Sequence, residues 1–476
     1  MTTTTCFSRS DWQKGYRSLY TEHDYQITEI SGVLPPDLQG TLYRNGPGLL
    51  DRNGENYGHP FDGDGMVCAI RLHQGEAYFR NRFVKTPEFL AEEAAGKILY
   101  RGVFGTQKPG GWLTNCFDLR LKNIANTNVI FHGQKLLALW EAARPYRLDP
   151  DSLATLGIED FNQALAPGEV FTAHPKLDPQ TGNLWAFGVE TGPKSVINIF
   201  RLDPDGELTR QAQHRVPGFC FLHDFAFTPN YRIFLQNPVK FAPLPFLLGF
   251  KTAGACLDLK PNSLSKFLIS DRQGQLITLE TDPGFVFHHC NAYEPEPDQI
   301  ILDSVCYATY PKLEPKQDFR EVNFDQVVPG KLVRFKLNLK TKTINRHTLV
   351  ERSCEFPAIN PQYLGQPYRY AYLGAIAQAN GNAPLQALLK LDLHTGQQQT
   401  YSIAPQGFMG EPVFVPRPQA IAEDDGWILT LCFNAASDRS ELLILDAENL
   451  NLVASLALKH HVPYGLHGSF VRSKAG

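Results

Sequence analysis

Short hydrophobic runs separated by polar turns recur along the chain from about residue 40 to the C-terminus. The runs are rich in Val, Ile, Leu, Phe and Tyr, and clusters of Gly, Asp, Asn or Pro separate them. This pattern is typical of strands joined by tight turns. Six segments are predicted as hairpins: 128–140, 197–207, 266–279, 332–344, 388–401 and 442–454.

Several of the turns share a short motif. Leu-Asp-x-x-x-Gly occurs at residues 177–182 and 391–396, and a shorter relative occupies residues 202–206. Weak self-similarity of this kind is expected when hairpins repeat around an axis. Only two short helices are predicted, at residues 87–94 and 149–156.

The strand pattern continues without a linker or a break in composition. We therefore expect one all-β domain over residues 1–476, in which residues 1–25 form a peripheral N-terminal segment. A β-propeller of four-stranded sheets accommodates this length better than a single sandwich does. Two packed β-sandwich domains are the alternative.

Composition and charge exclude several classes of protein. The chain has 476 residues, 43% of them hydrophobic, and its net charge of -4 provides no basic surface for nucleic acid. Nine cysteines at irregular spacing, without C-x-x-C, fit neither a disulfide framework nor a thiolate zinc site. We recognise neither a secretory signal nor an apolar run of about 18 residues. These features predict a cytoplasmic protein with free thiols.

Four of the 14 histidines lie in apolar or aromatic stretches that are far apart in the sequence. A charged imidazole would be costly there, so each ring should be neutral and either hydrogen-bonded or bound to a metal. The inner strands of a propeller converge on its axis, where distant residues can meet. Four neutral imidazoles suit Fe, Zn, Cu or Ni without selecting one. The candidates are His174, His223, His288 and His467.

Three glutamates also lie in apolar runs. Glu141 ends LLALWE, Glu355 lies in SCEFPAIN, and Glu411 lies in MGEPVFVP. A buried carboxylate needs a partner. One suitable partner is the Nδ1–H group of a metal-bound histidine, and another is a nearby arginine such as Arg352 or Arg417.

A series of segments resembles the carotenoid cleavage oxygenase family, in the order in which that family has them. The segments are LYRNGPG (42–48), HPFDGDGMV (59–67), LKNIANTNV (121–129), LLALWE (136–141), FVFHHCNAYE (285–294), EPVFVPRP (411–418), AEDDGW (422–427) and HVPYGLHGSF (461–470). The resemblance spans essentially the whole chain. Residues 100–128 are most similar to the family's cyanobacterial members.

This resemblance implies a seven-bladed β-propeller, capped by loops and short helices, with a non-haem Fe(2+) on its axis. The family motif F-H-x-x-N-A matches His288, so His288 is the implied ligand and His289 is not. The full implied ligand set is His174, His223, His288 and His467. The outer carboxylates implied for the last three of these are Glu141, Glu355 and Glu411, in that order.

The implied reaction is the cleavage by O₂ of the central 15,15′ double bond of an apocarotenoid, which gives retinal and a second aldehyde. Four neutral imidazoles leave the iron its full charge and open positions for O₂. An apolar polyene offers no acid, base or ligand at the reacting bond, so the protein must position that bond and exclude competing reactions. The resemblance implies a catalytic role for Thr127, which matches a family position close to the iron and would shape one of its open sites; an ordinary strand threonine is the alternative.

Aromatic residues beside these motifs predict a tunnel for the substrate. Trp140, Phe287, Tyr307 and Phe356 would line it, although aromatics beside a buried motif are also common in an ordinary core.

The run FAPLPFLLGF at residues 241–250, flanked by Lys240 and Lys251, predicts an exposed apolar surface that enters a membrane. A buried loop on a propeller face is the alternative. The predicted membrane patch consists of Phe241, Leu244, Phe246, Leu247, Leu248 and Phe250. Because of this patch we expect the protein to associate peripherally with membranes, and we expect it to be a monomer.

Other functions remain open at this point. A member of the same family could cleave another carotenoid bond or a stilbene, but stilbene-cleaving members place a lysine just before the position of Glu141, where this chain has Trp140. An isomerohydrolase of retinyl esters is a more distant option. A non-catalytic propeller that binds lipid or a protein partner would not need all four histidines and all three glutamates.

Overall fold

Seven antiparallel sheets surround a central axis, which confirms the predicted all-β, seven-bladed propeller. The computed structural model describes residues 7–260, 263–311 and 318–473. We number the sheets as blades 1 to 7 in chain order. All six predicted hairpins are present as paired strands.

Blades 2 to 6 each contain four strands in chain order, with the first strand at the axis; in blade 4 a separate small hairpin lies between the second and third strands. Blade 2 contains Asn128–His132, Lys135–Leu139, Tyr146–Leu148 and Thr155–Ile158; blade 3 contains Lys176–Leu177, Leu184–Glu190, Lys194–Leu202 and Leu208–Pro217; blade 4 contains Ala226–Phe227, Arg232–Gln236, Ser265–Ser270 and Leu276–Thr281. Blade 5 contains Phe285–Tyr293, Gln299–Tyr307, Lys331–Asn338 and Thr343–Val350; blade 6 contains Cys354–Ala358, Tyr370–Ala375, Ala387–Asp392 and Gln398–Ser402.

Blades 1 and 7 combine strands from both ends of the chain. Blade 1 contains Gly468–Arg472, Gly40–Leu49, Asp64–His73, Glu76–Phe83 and Asp24–Ile27, from the axis outward; blade 7 contains Gly407–Met409, Val413–Pro416, Gly426–Asn434, Arg439–Asp446, Leu452–Ala457 and Glu29–Gly32. The C-terminal strand therefore lies at the axis, and the two N-terminal strands close the outer edges of neighbouring blades.

Each junction between neighbouring blades is filled by its own hydrophobic cluster. The second strand of blade 2 shows how the sequence produces this packing. Leu136 and Ala138 pack towards blade 1, whereas Leu137 and Leu139 pack towards blade 3. Because alternate side chains face opposite sides of a sheet, a strand buried on both faces has a continuous apolar sequence.

The recurring Leu-Asp-x-x-x-Gly motif forms a hairpin turn. Asp178 accepts a hydrogen bond from the main-chain N–H of Gln180, and Asp392 accepts one from that of His394. The glycines, Gly182 and Gly396, have φ angles of 71° and 73°, a region that disfavours other residues.

The helix predicted at residues 87–94 is confirmed as Pro87–Ala95, whereas the helix predicted at residues 149–156 is wrong. Thr86 caps the first helix by accepting from the N–H of Phe89. The second segment is a turn between two strands of blade 2. Asp149 accepts from the N–H of Ser152, and Leu153 has a φ of 60°, which is incompatible with a right-handed helix.

Short helices and small hairpins lie in the long connections outside the blades. The α-helices are Arg9–Lys14, Pro87–Ala95, Trp112–Asn115 and Pro243–Leu247; the 3-10 helices are Pro60–Asp62, Gly254–Cys256, Phe319–Glu321, Phe324–Gln326 and Pro361–Tyr363. The additional hairpins pair Asp51–Arg52 with Glu55–Asn56 and Val239–Phe241 with Leu257–Leu259. Within the described ranges, none of these helices has the length and apolar character needed to cross a membrane.

Candidate metal centre

Four blades each place one histidine at the axis. His174 and His223 lie just before the inner strands of blades 3 and 4, and His288 lies within the inner strand of blade 5. His467 immediately precedes the inner strand of blade 1. The inner ends of separate sheets thus bring together residues that are far apart in the sequence.

The other three blades supply carboxylates. Glu141 follows the second strand of blade 2, and Glu355 lies in the first strand of blade 6. Glu411 lies between two short strands of blade 7. The seven blades therefore contribute four imidazoles and three carboxylates to one region of the axis.

The ring nitrogens of the four histidines converge on one point. One nitrogen of each ring lies within 4.8 Å of those of the other three. The Nε2 atoms of His174 and His223 are 2.9 Å apart, and those of His288 and His467 are 3.2 Å apart. An imidazole nitrogen binds a metal such as zinc at roughly 2.0–2.1 Å, so two ligands at a right angle have nitrogens about 3 Å apart. The spacing suits four imidazoles around one ion.

Three of the rings are oriented by the glutamates. His223 Nδ1 lies 2.9 Å from Glu141 Oε1, and His288 Nδ1 lies 2.6 Å from Glu355 Oε2. His467 Nδ1 lies 2.7 Å from Glu411 Oε1. A carboxylate accepts the Nδ1–H group and so directs the Nε2 lone pair towards the axis.

This arrangement suits a cation at its centre. When both rings are neutral and donate their Nδ1–H groups to carboxylates, the facing Nε2 atoms of His288 and His467 carry lone pairs. Two lone pairs at that distance repel unless a proton or a metal ion lies between them. The residues present therefore fit a bound metal ion.

The buried charges around the histidines favour a divalent ion. Arg44, which is buried, pairs with Glu411 and also donates to the carbonyl of Leu466 at 2.8 Å. Two positive charges at the histidines would balance the three glutamates and this arginine. Carboxylates held in a protein interior require such compensation.

The pKa values of the site agree with this charge distribution. Burial lowers the pKa of His174 well below its ordinary value, and the neighbouring imidazoles lower it further. Burial also outweighs the effect of Glu411 on His467, whose pKa is about 4. Although burial opposes ionisation of Glu411, His467 and Arg44 hold its pKa at about 2. The rings of His174 and His467 are thus neutral beside an ionised Glu411. Burial acts against ionisation of His288 as well, but Glu355 outweighs it and raises the pKa of that ring.

His289 lies outside the cluster, although it adjoins His288. Its ring Nδ1 is 2.7 Å from the hydroxyl of Ser304, and its main-chain N–H donates to Asp224. The two consecutive histidines therefore face different surroundings, as the family motif implies.

Thr127 lies at the edge of the cluster. Its hydroxyl is 3.4 Å from Glu141 Oε2 and 3.2 Å from Asn126 Oδ1. Its carbonyl accepts a hydrogen bond from the main-chain N–H of His467. The residue therefore contacts the carboxylate that supports His223 and the main chain of His467.

An apolar cavity of about 170 Å³ adjoins the histidines. The four aromatic residues predicted from the sequence, Trp140, Phe287, Tyr307 and Phe356, all line it. Tyr307 has a second contact, since its hydroxyl donates to Glu355 Oε1 at 2.8 Å. A side chain of the cavity wall is thus hydrogen-bonded to Glu355, the carboxylate that orients His288.

Four further residues line the same cavity and were not predicted: Phe61, Phe104, Phe221 and Leu466. Asp62 fixes two of them in place. Its carboxylate accepts from the main-chain N–H groups of Phe104, Gly105 and Thr106 at 2.8–3.0 Å. Phe61, Phe104 and Leu466 lie inside segments that resemble the family, which is their one signal in the sequence, since their residue types are those of any core.

The predicted membrane patch requires a correction. Leu244, Leu248 and Phe250 are exposed, but Phe246 is buried beneath the guanidinium of Arg101, whose Cζ lies 4.1 Å from its ring centre. Phe241 and Leu247 are half-buried. Phe246 therefore belongs to the interior and not to the exposed surface.

A second segment, missed from the sequence, extends the exposed surface. Trp112 packs on Phe250 with ring centroids 5.4 Å apart, and the main-chain N–H of Phe117 donates to the carbonyl of Leu247. We define the apolar patch by the exposed residues of both segments: Trp112, Leu113, Phe117, Leu244, Leu248 and Phe250. Exposed Lys240 and Lys251 flank it in the sequence.

Arg101 joins the two segments of the patch. It is fully buried and donates to the carbonyls of Asn115 and Asp118 in one segment and of Phe246 and Lys251 in the other. The hydrogen bonds of Arg101 therefore fix the two segments that carry the exposed apolar side chains.

The fold and the site define a class of protein: a seven-bladed propeller with four axial histidines that could hold a metal ion and an adjoining apolar cavity. Residues 16–472 match the family model for the retinal pigment epithelial membrane protein. The chain belongs to this family.

Relatives and solved structures agree with that assignment. Apocarotenoid-15,15′-oxygenase from Synechocystis is 48% identical, over 98% of this chain and 97% of that protein. Carotenoid 9,10(9′,10′)-cleavage dioxygenase 1 from Phaseolus vulgaris is 30% identical, over 93% of this chain and 86% of that protein. The crystal structure of cobalt-substituted Synechocystis apocarotenoid oxygenase matches with a TM-score of 0.97 at 48% identity, covering 99% of this chain and 100% of that one.

Proposed function

We propose that this chain is an iron(II)-dependent oxygenase that uses O₂ to cleave the central 15,15′ double bond of an apocarotenoid into retinal and a second aldehyde. The observation that carries the proposal is the convergence of four imidazoles beside an apolar, aromatic cavity. The similarity to the Synechocystis apocarotenoid-15,15′-oxygenase supports this choice of substrate and bond.

Iron held by His174, His223, His288 and His467 would supply O₂ binding and the redox chemistry. The residues of the chain orient the histidines, exclude water and hold the substrate. Glu141, Glu355 and Glu411 fix the orientation and tautomer of their histidines. The cavity walls exclude water and hold the polyene by dispersion contacts, because the substrate offers nothing to hydrogen-bond at the reacting bond.

Trp140 favours a polyene over a phenolic stilbene. Its indole forms part of the cavity wall beside Glu141. Activation of a phenol would require a basic side chain at that place, and an indole nitrogen is only a donor.

Incubation with β-apo-8′-carotenal tests the reaction. The chain is purified without oxygen, loaded with iron, analysed for metal, and mixed in air with substrate in detergent. Retinal among the products is the expected result. Intact substrate in the presence of a fully iron-loaded protein would contradict the proposal.

His467→Ala tests the metal centre. It removes one imidazole and should abolish iron retention while the propeller remains folded. The matched control is His214→Ala. His214 lies in the outer strand of blade 3, is also buried, and has its Nε2 2.8 Å from the hydroxyl of Ser270. The control should bind iron as the wild type does. If His467→Ala also binds iron as the wild type does, the proposed ligand set is wrong.

We further propose that the protein acts as a monomer at the cytoplasmic surface of a membrane, where carotenoids reside. The exposed apolar patch with its flanking lysines supports membrane binding. The eight cysteines within the described ranges are free thiols, which suits a reducing compartment. Light scattering during size exclusion should give the mass of one chain, and a stable dimer would contradict the proposed state.

A further inference from the structure

Asp224 lies between the strands that carry three of the four histidines. It follows His223 directly, and its side chain is buried. Its carboxylate reaches both neighbouring blades and its own strand. The partners are Lys176 of blade 3, the main-chain N–H of His289 in blade 5, and the main-chain N–H of Phe225 in blade 4.

The contact with blade 5 coincides with a bulge. In the pairing of its first two strands, Val286 lies opposite Cys306, and His289 lies opposite Ser304. Between these two pairs, Phe287 and His288 on the inner strand lie opposite the single residue Val305, so His288 lies within the bulge. A bulge redirects side chains and leaves main-chain groups without their ladder partners. Asp224 Oδ2 accepts the N–H of His289 at 2.9 Å and so satisfies one such group.

The contact with blade 3 concerns the histidine that lacks an outer carboxylate. In the part of the chain that the structure describes, no carboxylate forms an ion pair with His174, unlike the other three. Its main-chain N–H donates to the hydroxyl of Thr172 at 2.9 Å. Two residues further along, Lys176 Nζ lies 2.8 Å from Asp224 Oδ1. The strand of His174 is therefore anchored through its main chain and Lys176.

We propose that Asp224 is a positioning residue for the metal centre, which sets the mutual placement of His174, His223 and His288 by holding their three strands together. It touches none of these imidazoles, so it acts through the main chain and through Lys176. The inference rests on the proposed metal centre. It states that the carboxylate of Asp224 determines how three of the four histidines are placed relative to one another.

Asp224→Asn provides the first test. The amide keeps the shape and one acceptor oxygen, but it removes the charge that pairs with Lys176. Cobalt(II) is the probe, because its visible absorption bands respond to the arrangement of its ligands. We expect cobalt affinity to fall on the order of 10–100-fold, the range found for outer partners of metal ligands, and the bands to shift.

The matched control is Asp424→Asn. Asp424 forms the same kind of pair with a buried lysine, Lys390, at 2.6 Å, but in blades 6 and 7. If Asp224 positions the ligands, the control should lose thermal stability while it keeps the wild-type cobalt affinity and spectrum. An equal change in cobalt binding in both variants would overturn the inference, because it would indicate a general effect of destabilisation.

Lys176→Met is a second, independent variant. If Asp224→Asn does not fold, Lys176→Met alone tests whether the pair of Asp224 and Lys176 positions the histidines. It removes only the anchor of the His174 strand, so we expect a smaller loss of cobalt affinity with a distinct spectral shift. Wild-type affinity and spectrum in the folded variants would overturn the inference while leaving the proposed function intact. A wild-type chain that bound no cobalt would overturn the metal centre itself, and the inference with it.

Discussion

At the scale of single residues, the three glutamates of the metal centre differ in their second partner. Glu411 shares its carboxylate with buried Arg44, whereas Glu355 accepts from the hydroxyl of Tyr307. Glu141 has Thr127 at 3.4 Å. A charged partner left without its carboxylate is more costly than a neutral one, so the same substitution should have unequal effects at these positions.

Glu411→Gln should therefore destabilise the protein more than Glu355→Gln does. Loss of one member of a buried ion pair costs about 3–5 kcal/mol, against about 1–3 kcal/mol for a neutral hydrogen-bonding group. Urea unfolding of both variants, with and without a chelator, measures the difference. Equal losses would contradict a specific role for Arg44.

Phe356 combines an unfavourable backbone with a position beside the histidines. Its φ is 52°, and its ring centroid lies 5.6 Å from that of His288 and 5.3 Å from that of His467. Such strain in a bulky residue persists only where the surroundings hold it in place.

Phe356→Gly should consequently be more stable than Phe356→Ala, the reverse of the usual order. Both variants lose the ring, but only glycine adopts a left-handed conformation without the steric penalty of a Cβ, about 1 kcal/mol. Thermal unfolding of the two variants provides the measurement. A more stable alanine variant would show that the backbone relaxes when the ring is removed.

The apolar surroundings of charged and polar residues were the useful signal at this scale. They identified the four histidines and three glutamates, and the family motif separated His288 from His289. The same criterion applies to Asp224 in FLHDFAF, whose signal coincides with that of the adjacent His223. Phe61 and Phe104 could not be found in this way, because a cavity wall and a core use the same residue types.

At the scale of elements, helix Pro87–Ala95 is held by buried charges, and its partners Tyr57 and Lys122 in turn contact Asp64 of blade 1. Glu92 accepts from Tyr57, from Lys122 and from the main-chain N–H groups of Leu99 and Tyr100. The next residue, Glu93, is 60% exposed, although it too pairs with an arginine. Two adjacent glutamates on one helix therefore have very different surroundings.

Glu92→Gln should lower the free energy of unfolding by about 3–5 kcal/mol, because it leaves buried Lys122 with less compensation. Glu93→Gln is the matched control and should have a smaller effect, because the Glu93 carboxylate is largely solvated and buried Arg52 keeps its pair with Asp64. Denaturant midpoints at constant pH provide the comparison. Similar losses in both variants would mean that the buried network is not what secures the helix.

Hairpins were predictable because each strand and turn leaves a local pattern, whereas the failures lay in short segments. Residues 149–156 contain helix-forming residues, yet Asp149 directs a turn there through its side chain. The helix Trp112–Asn115 is too short to leave a periodic signal. Its role in the apolar patch depends on contacts with residues more than 100 positions away, such as Phe250.

At the scale of the whole molecule, ring closure and the metal centre depend on the same C-terminal segment. The strand Gly468–Arg472 completes blade 1 by pairing with Gly40–Leu49, and His467 directly precedes it. Closing a propeller removes an exposed sheet edge that would otherwise remain at the axis. The treatment of residues 1–476 as one domain, with 1–25 peripheral, stays a prediction.

The apolar patch and the cavity are connected through one part of the chain. Phe104 lines the cavity, and its carbonyl accepts from the hydroxyl of Thr252 at 2.6 Å. Thr252 follows Phe250 of the patch by two residues. The segment that carries Phe250 is therefore hydrogen-bonded to a residue of the cavity wall.

The double variant Leu244→Glu/Phe250→Glu tests whether the patch binds membranes. Burial of one Leu or Phe side chain contributes about 1.5–3 kcal/mol, so the loss of two should reduce partitioning into lipid vesicles on the order of 100-fold or more. Ile421→Glu is the control, because Ile421 is 96% exposed and lies outside the patch. Vesicle flotation at fixed ionic strength measures the bound fraction. If the double variant and Ile421→Glu bind vesicles as well as the wild type does, the apolar patch is not the membrane contact, and its exposed aromatic residues require another partner.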